Sequence, residues 1–319
     1  MSEISGPVVA LAGGVGGAKL ADGLARLVGE RLTVIVNTGD DFTHLGLHVS
    51  PDLDTVMYTL AGIANPQTGW GIAGESWNFL AQIERLGGPN WFRLGDRDLA
   101  THVLRTQRLA AGENHTAVTA ALGGALGVAA TLLPMSDDPV RTIICTDEGE
   151  LPFQDYFVRL ACAVAVRSIR YDGASAARLN PALAAIRDLS AIVICPSNPY
   201  LSVDPILAVP EMRAWLRAQR RPIVAVSPIV GGAAIKGPAA KIMAELGAPV
   251  SAVGIARHYA GVVHGLVIDT ADAALAPGIV TEGMAVKVTP TVMAGPEQRV
   301  ALGRTCLAFA DEIAGTITR

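Results

Sequence analysis

Short apolar runs alternate along this chain with longer stretches in which apolar residues recur at helical spacing. The apolar runs predict buried strands at residues 8–11 and 32–36, and further strands at residues 191–195, 222–226, 264–269 and 285–289. Their alternation with helices predicts an α/β fold with a doubly wound, mainly parallel Rossmann-like sheet.

The middle of the chain interrupts this alternation. Residues 127–133 and 142–146 are two closely spaced strand patterns, which predict a hairpin-like pair, and several helical stretches precede them. We therefore predict a Rossmann-like nucleotide-binding core from residues 1–60 and 180–319. Residues 61–179 are predicted to form an inserted, mostly helical subdomain.

A glycine-rich turn follows the first strand. Gly13, Gly14, Gly16 and Gly17 lie between that strand and a helix predicted from residue 18, with Lys19 one turn further on. Glycine allows backbone N–H groups to approach a ligand closely, and the start of a helix favours an anion. The spacing matches neither a P-loop nor a complete dinucleotide fingerprint. Two interpretations stay open here, a phosphate site and a tight turn without a ligand.

Polar loops follow three further strands, with the sequences NTGDD, PSNP and SPIVGG. In open α/β sheets, ligands bind at the carboxyl ends of the strands. Four such loops along one edge predict a nucleotide-sized pocket, with Asn37 directly after the second strand as one of its polar residues.

Four aspartates lie close together in the segment after the second strand. Capping of the helix predicted near residue 53 explains one of them. The four are Asp40, Asp41, Asp52 and Asp54, and clustered carboxylates beside a phosphate site can hold Mg²⁺ or orient a hydroxyl. His44 and His48 lie in the same segment and are predicted to be loop residues rather than a zinc pair.

The segment at residues 91–98, WFRLGDRD, combines two aromatic residues with two arginines and two aspartates. It has two interpretations. The simpler is a solvated turn with internal ion pairs. The other is a pocket wall, in which aromatic rings stack on a flat ligand and arginine binds phosphate.

Composition narrows the class of protein. Half of the 319 residues are hydrophobic, 17% are charged, and the net charge is -4, without a run of basic residues that would favour nucleic acid. The four cysteines are scattered, as in reduced proteins. Apolar runs stop well short of membrane length, and the opening MSEISGPVV lacks a leader pattern. We therefore expect a cytoplasmic protein with no nucleic-acid or membrane partner.

Several segments together resemble the 2-phospho-L-lactate transferase family. They read GGVGGAKLADGL, VNTGDD, SPDLDTVMYTLAG, LGDRDLATHVLRT, LPMSDDPVRT, PSNPYLSVDPIL and VSPIVGGAAIKGPAAKIM. The resemblance implies a Mg²⁺-dependent transferase in the biosynthesis of the deazaflavin coenzyme F420, and suggests a homodimer. In that family, a guanylylated phospho-acid (2-phospholactyl, phosphoenolpyruvyl or 3-phosphoglyceryl) donates its phospho-acid to the ribityl hydroxyl of the deazaflavin Fo. GMP is released, and residues 61–179 would contribute to the Fo pocket.

The same resemblance implies roles for individual residues. Asp54 and Asp52 are the catalytic candidates, and Asp54→Ala is predicted to remove turnover while leaving the fold intact. Asp40, Asp41 and Asp52 are the metal candidates. The residues implied to contact Fo are Asp54, Arg93 and Arg97. Those implied to bind nucleotide or phosphate are Gly13, Gly14, Gly16, Gly17, Lys19, Asn37, Ser197 and Asn198.

Two alternative functions can be considered for the same residues. A non-catalytic regulator of the gluconeogenesis-factor type would bind a nucleotide-sugar in the same crevice. An NAD-dependent dehydrogenase would need an acidic residue directly after the second strand, where this chain has Asn37. The sequence leaves the identity of the donor acid open.

Overall fold

A parallel sheet of seven strands lies at the centre of the protein, in a computed structural model that describes residues 6–317. The strands of the chain are β1 (Val8–Ala12), β2 (Leu32–Val36), β3 (Phe42–His44), β4 (Leu47–Val49), β5 (Thr131–Pro134), β6 (Arg141–Thr146), β7 (Gly149–Pro152), β8 (Ser168–Asp172), β9 (Ala191–Ile194), β10 (Ile223–Val226), β11 (Ile229–Val230), β12 (Ala233–Ala234), β13 (Gly265–Ile268) and β14 (Ala285–Val288).

Helices cover both faces of this sheet. They are α1 (Gly14–Val28), α2 (Pro51–Leu60), α3 (Asn78–Arg85), α4 (Asp96–Ala110), α5 (His115–Ala125), α6 (Asp204–Ala208), α7 (Pro210–Ala218), α8 (Ala239–Glu245), α9 (Ala252–His258), α10 (Ala276–Thr281) and α11 (Pro296–Ile317). Short 3-10 turns cover Gly29–Arg31, Ala174–Ala176, Pro181–Ala185 and Thr270–Leu275, and single π turns cover Asp155–Arg159 and Pro199–Val203.

The strand order is β14-β13-β10-β9-β1-β2-β5, and every neighbouring pair is parallel. Successive residues of β1 point to opposite faces, so Val8 and Ala10 belong to one apolar core and Val9 and Leu11 to the other. The predicted doubly wound α/β fold is confirmed. The order reverses at β1, which has β2 on one side and β9 on the other. A ligand crevice is therefore expected beyond the carboxyl ends of β1 and β9.

One strand of the predicted insertion belongs to the main sheet. β5 pairs with β2, with Val36 opposite Pro134, whereas β6 lies in a separate antiparallel sheet of order β7-β6-β8. The predicted hairpin of residues 127–133 with 142–146 is therefore wrong. Residues 61–179 also contain that small sheet in addition to α3, α4 and α5. The division of the chain into two domains stays a prediction.

The first helix begins earlier than predicted, and this moves part of the glycine turn into the helix. The helix α1 begins at Gly14 rather than at residue 18, so Gly16 and Gly17 lie in its first turn. Residues 1–5, which include most of the opening segment considered above, lie outside the described part of the chain. No helix within residues 6–317 is long and apolar enough to cross a membrane.

Candidate active site

The glycine turn joins β1 to α1 and places a carboxylate at the start of the helix. Gly13 is extended and Gly14 has φ of 60°, a left-handed conformation that glycine adopts without strain. The N–H of Gly14 donates to Oδ1 of Asp52, 2.6 Å away. Asp52 itself belongs to the first turn of α2, so this hydrogen bond ties the starts of two helices together.

Gly16 and Gly17 allow α1 to pack closely against a neighbouring loop. A methyl group at Gly16 would overlap the carbonyl oxygen of Pro196, and one at Gly17 would overlap Oγ of Ser197. Both neighbours belong to the loop after β9. The two glycines therefore let α1 approach this loop across the switch point of the sheet.

Gly16→Ala tests this packing. We expect the free energy of unfolding to fall by about 1–3 kcal/mol, because a fixed backbone carbonyl must move to admit the methyl group. Gly124→Ala is the matched control, since Gly124 also lies in a helix but has open space around it. This control should gain about 0.5–1 kcal/mol. Urea unfolding of both variants measures the difference, and equal stability of the two would contradict the packing role.

Ser197 and Asn198 follow β9 and are close to the glycine turn. The hydroxyl of Ser197 accepts from the N–H of Gly13 at 3.0 Å and donates to the carbonyl of Gly13 at 2.8 Å, so it joins the two loops. The side-chain oxygen of Asn198 accepts from the N–H groups of Tyr200 and Leu201. Its Nδ2 is buried and has no hydrogen-bond partner within residues 6–317, which leaves two N–H donors for a ligand.

Three cations lie close together near the start of α1. Burial lowers the pKa of Lys19, and the positive charges of Arg299 and Lys236 lower it further. Nζ of Lys19 donates to the carbonyl of Met293 at 3.1 Å, and Nζ of Lys236 donates to that of Thr68 at 2.7 Å. A bound anion would relieve the mutual repulsion of these cations. The start of a helix also favours an anion, so the three cations suit a phosphate site.

Asn37 holds two buried carboxylates side by side. Its Nδ2 donates to Oδ2 of Asp52 at 2.9 Å and lies 3.4 Å from Oδ1 of Asp40, while its Oδ1 accepts from the N–H of Gly39. Both polar atoms of Asn37 are thus engaged by the protein, although the sequence predicted it to contact nucleotide. Burial raises the pKa of Asp52 to about 6, and burial together with the charge of Asp52 raises the pKa of Asp40 well above its usual value.

The carboxylate of Asp41 faces a different set of groups. Its Oδ2 lies 3.1 Å from Nε2 of His48, accepts from Ser50 Oγ at 2.8 Å, and lies 3.8 Å from Nδ1 of His115. The three aspartates predicted as metal ligands are therefore divided between two environments.

Asp54 belongs to a buried network that joins α2 to α4. Arg105, with a side chain that is 2% exposed, donates from both terminal nitrogens to the two carboxylate oxygens of Asp54. His102 lies 3.6 Å from Asp54 and 3.2 Å from Asp98, which also accepts from the Tyr58 hydroxyl at 2.8 Å. Burial raises the pKa of Asp54 although the charge of Arg105 opposes the shift.

Sequence reasoning missed Arg105, His102 and Asp98 as site residues. A signal for them exists, because positions 98, 102 and 105 lie on one face of a helix at spacings of four and three. Polar residues on such a face are usually solvent-exposed. Contacts with Asp54 and Tyr58 of α2, together with the packing of α4 against β4 and α5, bury them here.

An aromatic cluster adjoins this network. The rings of Phe42, His44, Trp91 and Phe92 pack with centroid distances of 4.8 to 6.1 Å. Burial lowers the pKa of His44, and His102 adds to the shift through its charge. His44 and His48 lie on β3 and β4 rather than in a loop. The cluster has the character of a wall for a flat ligand.

The segment at residues 91–98 is organised by reciprocal capping. The carboxylate of Glu75 accepts from the N–H groups of Arg97 and Asp98 at the start of α4, and that of Asp96 accepts from those of Asn78 and Phe79 at the start of α3. The guanidinium of Arg93 lies 4.3 Å from the centre of the Trp77 ring, and Arg97 donates to the carbonyl of Ala73. Hydrogen bonds to helix ends therefore replace the internal ion pairs of the simpler interpretation.

Comparison with known proteins identifies the family. The family model described as 2-phospho-L-lactate transferase CofD matches residues 8–287. The chain belongs to the CofD family. It is 43% identical over 315 residues to a phosphoenolpyruvate transferase from Kitasatospora aureofaciens, covering 96% of this chain and 98% of the relative. Another phosphoenolpyruvate transferase, from Mycobacterium ulcerans, is 38% identical over 320 residues, covering 94% and 97%.

The solved structures agree with the CofD-family fold. A crystal structure of a UPF0052 family member from Bacillus halodurans superposes with a TM-score of 0.59 and covers 95% of this chain and 98% of its own. At 16% identity, this likeness concerns the fold alone.

The CofD family accounts for the coarse function of the chain. The chain is a phosphoenolpyruvate- or phospholactate-type transferase of F420 biosynthesis, so the predicted family and the predicted enzyme class are confirmed. The roles of individual residues, the homodimer and the cytoplasmic location stay predictions.

Proposed function

We propose that this enzyme transfers a phosphoenolpyruvyl group from its guanosine-diphosphate conjugate to the terminal ribityl hydroxyl of Fo, releasing GMP. The observation that carries the proposal is the convergence of three features at the switch point of the sheet. These are the cationic start of α1, the paired carboxylates Asp40 and Asp52, and the Asp54 network beside an aromatic wall.

The choice of donor rests on the relatives. Those of 38 to 43% identity cited above are each named phosphoenolpyruvate transferase, and they match this chain over nearly its full length. We therefore favour the phosphoenolpyruvyl donor over the 2-phospholactyl and 3-phosphoglyceryl donors. The product would be the dehydro form of F420-0.

The proposed step is an in-line displacement at phosphorus. The ribityl oxygen of Fo attacks the phosphorus that bears the enolpyruvyl group, and the bond from that phosphorus to the GMP oxygen breaks. GMP leaves with the electron pair of that bond. The hydroxyl proton goes to Asp54, whose raised pKa suits a general base and whose orientation is held by Arg105.

The nucleotide half of the donor has its own proposed contacts. The start of α1, with Gly13, Gly14 and Lys19, would lie against the diphosphate. The free Nδ2 of Asn198 would donate to guanine or ribose. On the acceptor side, the rings of Trp91 and Phe92 would stack on the deazaflavin, with Arg93 and Arg97 at the same edge.

Asp40 and Asp52 fit a magnesium ion. Their buried carboxylates lie beside one amide, and each would be more favourable as an anion next to a divalent cation. A bound Mg²⁺ would supply charge neutralisation for the diphosphate oxygens and the departing phosphate. Asp41 is left out of this pair because its carboxylate faces His48 and His115.

The test is GMP release by the purified enzyme with Mg²⁺ and Fo, with the three donor conjugates supplied in parallel. We expect one GMP for each Fo consumed, and the highest kcat/KM with the phosphoenolpyruvyl conjugate. GMP released at the same rate without Fo would contradict acceptor transfer. No GMP from any donor, with unchanged Fo fluorescence on adding protein, would favour the nucleotide-sugar-binding regulator instead.

A further inference from the structure

A cluster of metal-ligating side chains lies beside the proposed active site and is not used by the transfer reaction. It consists of Asp41, His48 and His115, and one potential ligand atom from each lies within 4.8 Å of the others. The two imidazole rings meet edge to face, with centroids 5.3 Å apart. The carboxylate lies 3.1 Å from Nε2 of His48 and 3.8 Å from Nδ1 of His115.

These distances suit a tetrahedral ion. Zinc binds imidazole nitrogen and carboxylate oxygen at about 2.0–2.2 Å, which separates neighbouring ligand atoms by about 3.3 Å. Small rotations of the side chains would therefore bring all three ligand atoms onto one ion. The three residues come from different elements, namely the turn before β3, β4 itself, and the first residue of α5.

The hydrogen bonds of Ser50 determine which nitrogen of His115 carries a proton. The Ser50 hydroxyl has one hydrogen, and it donates to the charged oxygen of Asp41 at 2.8 Å. Nε2 of His115 lies 3.3 Å from the same hydroxyl oxygen and must then be the donor in that contact. In a neutral imidazole only one nitrogen carries a proton, so Nδ1 of His115 is the nitrogen with a free lone pair.

The cluster consequently contains lone pairs that face one another. The unprotonated Nδ1 of His115 faces the carboxylate of Asp41 with no proton between them. Within residues 6–317, the other oxygen of Asp41 is buried and has no hydrogen-bond partner. The side chains of Asp41 and His115 are 10% and 9% exposed. A buried carboxylate oxygen without a partner and a buried nitrogen lone pair both lack the cation that would satisfy them.

We propose that Asp41, His48 and His115 bind a zinc-class transition-metal ion, through the carboxylate, Nε2 and Nδ1 respectively, at a site separate from the Mg²⁺ of the reaction. Two imidazoles and one carboxylate select zinc, cobalt or nickel, whereas Mg²⁺ prefers oxygen ligands alone. The His48 side chain is 33% exposed and provides the path by which the ion enters. Ser50 supports the site from behind by holding both Asp41 and His115.

The ion would link the β3–β4 hairpin to α5. The hairpin carries Phe42 and His44 of the aromatic wall, so the ion would stabilise one side of the proposed deazaflavin pocket. The site is therefore placed to stabilise the fold near the proposed active site.

The experiment uses tag-free, full-length protein treated with EDTA and then returned to buffer with excess Mg²⁺. Cobalt is titrated as a spectroscopic probe, and zinc is then added in competition. We expect one equivalent of Co²⁺ to produce visible absorption that zinc abolishes, and the melting temperature to rise with zinc. In His48→Gln and in His115→Gln, cobalt and zinc affinity should fall at least 10-fold.

His258→Gln is the matched control, since His258 also lies 2.9 Å from an aspartate, Asp204, but outside the cluster. It should bind both metals as the unmodified protein does. Circular dichroism and the melting temperature without metal show whether each variant is folded. His48→Gln should perturb folding less than His115→Gln, because the His48 side chain is 33% exposed. Equal zinc affinity in the unmodified protein and in a variant that combines His48→Gln with His115→Gln, or no zinc binding in either, would overturn the proposal.

Discussion

We expect Asp54→Ala to lower the free energy of unfolding by about 3–5 kcal/mol and to lower kcat by on the order of 10²- to 10⁴-fold. The first effect follows from Arg105, whose guanidinium is fully buried and donates to both oxygens of Asp54. Removing the carboxylate leaves an uncompensated charge in the interior. The second follows from the proposed transfer of the hydroxyl proton to Asp54.

This expectation differs from the one that the sequence supports, in which the same variant keeps its fold. A control is needed that separates the effect on the free energy of unfolding from the effect on kcat. In Asp54→Leu combined with Arg105→Met, an apolar pair replaces the buried ion pair, and such replacements are often neutral for stability. We expect this double variant to unfold in urea near the midpoint of the unmodified enzyme, while its rate of GMP release stays as low as that of Asp54→Ala. Recovered turnover in the double variant would assign Asp54 a structural role only.

Asp40→Asn is the second substitution with a large expected effect. If Asp40 and Asp52 hold Mg²⁺, losing one carboxylate removes several kcal/mol of transition-state stabilisation, which is on the order of 10²- to 10³-fold in kcat/KM. The concentration of Mg²⁺ that gives half-maximal rate should also rise. Steady-state GMP release over a series of Mg²⁺ concentrations measures both effects.

Asp204→Asn is the control for this variant, because the carboxylate of Asp204 pairs with His258 rather than with the Asn37 amide that joins Asp40 and Asp52. It should keep the Mg²⁺ dependence of the unmodified enzyme. An Asp40→Asn enzyme with unchanged Mg²⁺ dependence would remove Asp40 from the proposed metal pair.

The pH dependence of this Mg²⁺ requirement has a definite sign. Burial raises the pKa of Asp52 to about 6, so its carboxyl becomes protonated as the pH falls from 7 to 5. Protons and Mg²⁺ then compete for the same oxygens, and metal affinity falls with pH. We expect the half-maximal Mg²⁺ concentration to rise over this range in the unmodified enzyme and to change less in Asp52→Asn.

The central sheet was predictable because its signals are local. Strands such as β1 and β9 are apolar runs of five and four residues that are buried throughout, and a glycine- or proline-containing loop follows each. The pairing of β5 was not predictable in this way. The strand patterns at residues 127–133 and 142–146 are close in sequence, yet β5 pairs with β2, almost a hundred residues earlier. Proximity along the chain favours a hairpin, whereas apolar burial on both faces of the main sheet favours the distant partner.

For the candidate site residues, too, local signals were visible in the sequence and long-range contacts were not. Asp52, Asp54 and the glycine turn were singled out by residue type, by position after a strand and by the family resemblance, and their roles stay predictions. Asn37 and Ser197 were also found, but their hydrogen bonds hold Asp52 and Gly13 rather than facing a ligand. Arg105 was missed because a single arginine on a helix is normally solvent-exposed.

The fold class and the family could therefore be predicted from the amino-acid sequence, because they depend on patterns within a few residues or on motifs in order along the chain. Which polar atoms are already engaged could be seen only in the folded arrangement. It pairs Asp54 with Arg105 from a helix 51 residues away, and it directs Asp41 toward His115 rather than toward Asp52. Burial and charge act through space, so the ionisation and partners of these carboxylates follow from the folded arrangement and not from their spacing in the chain.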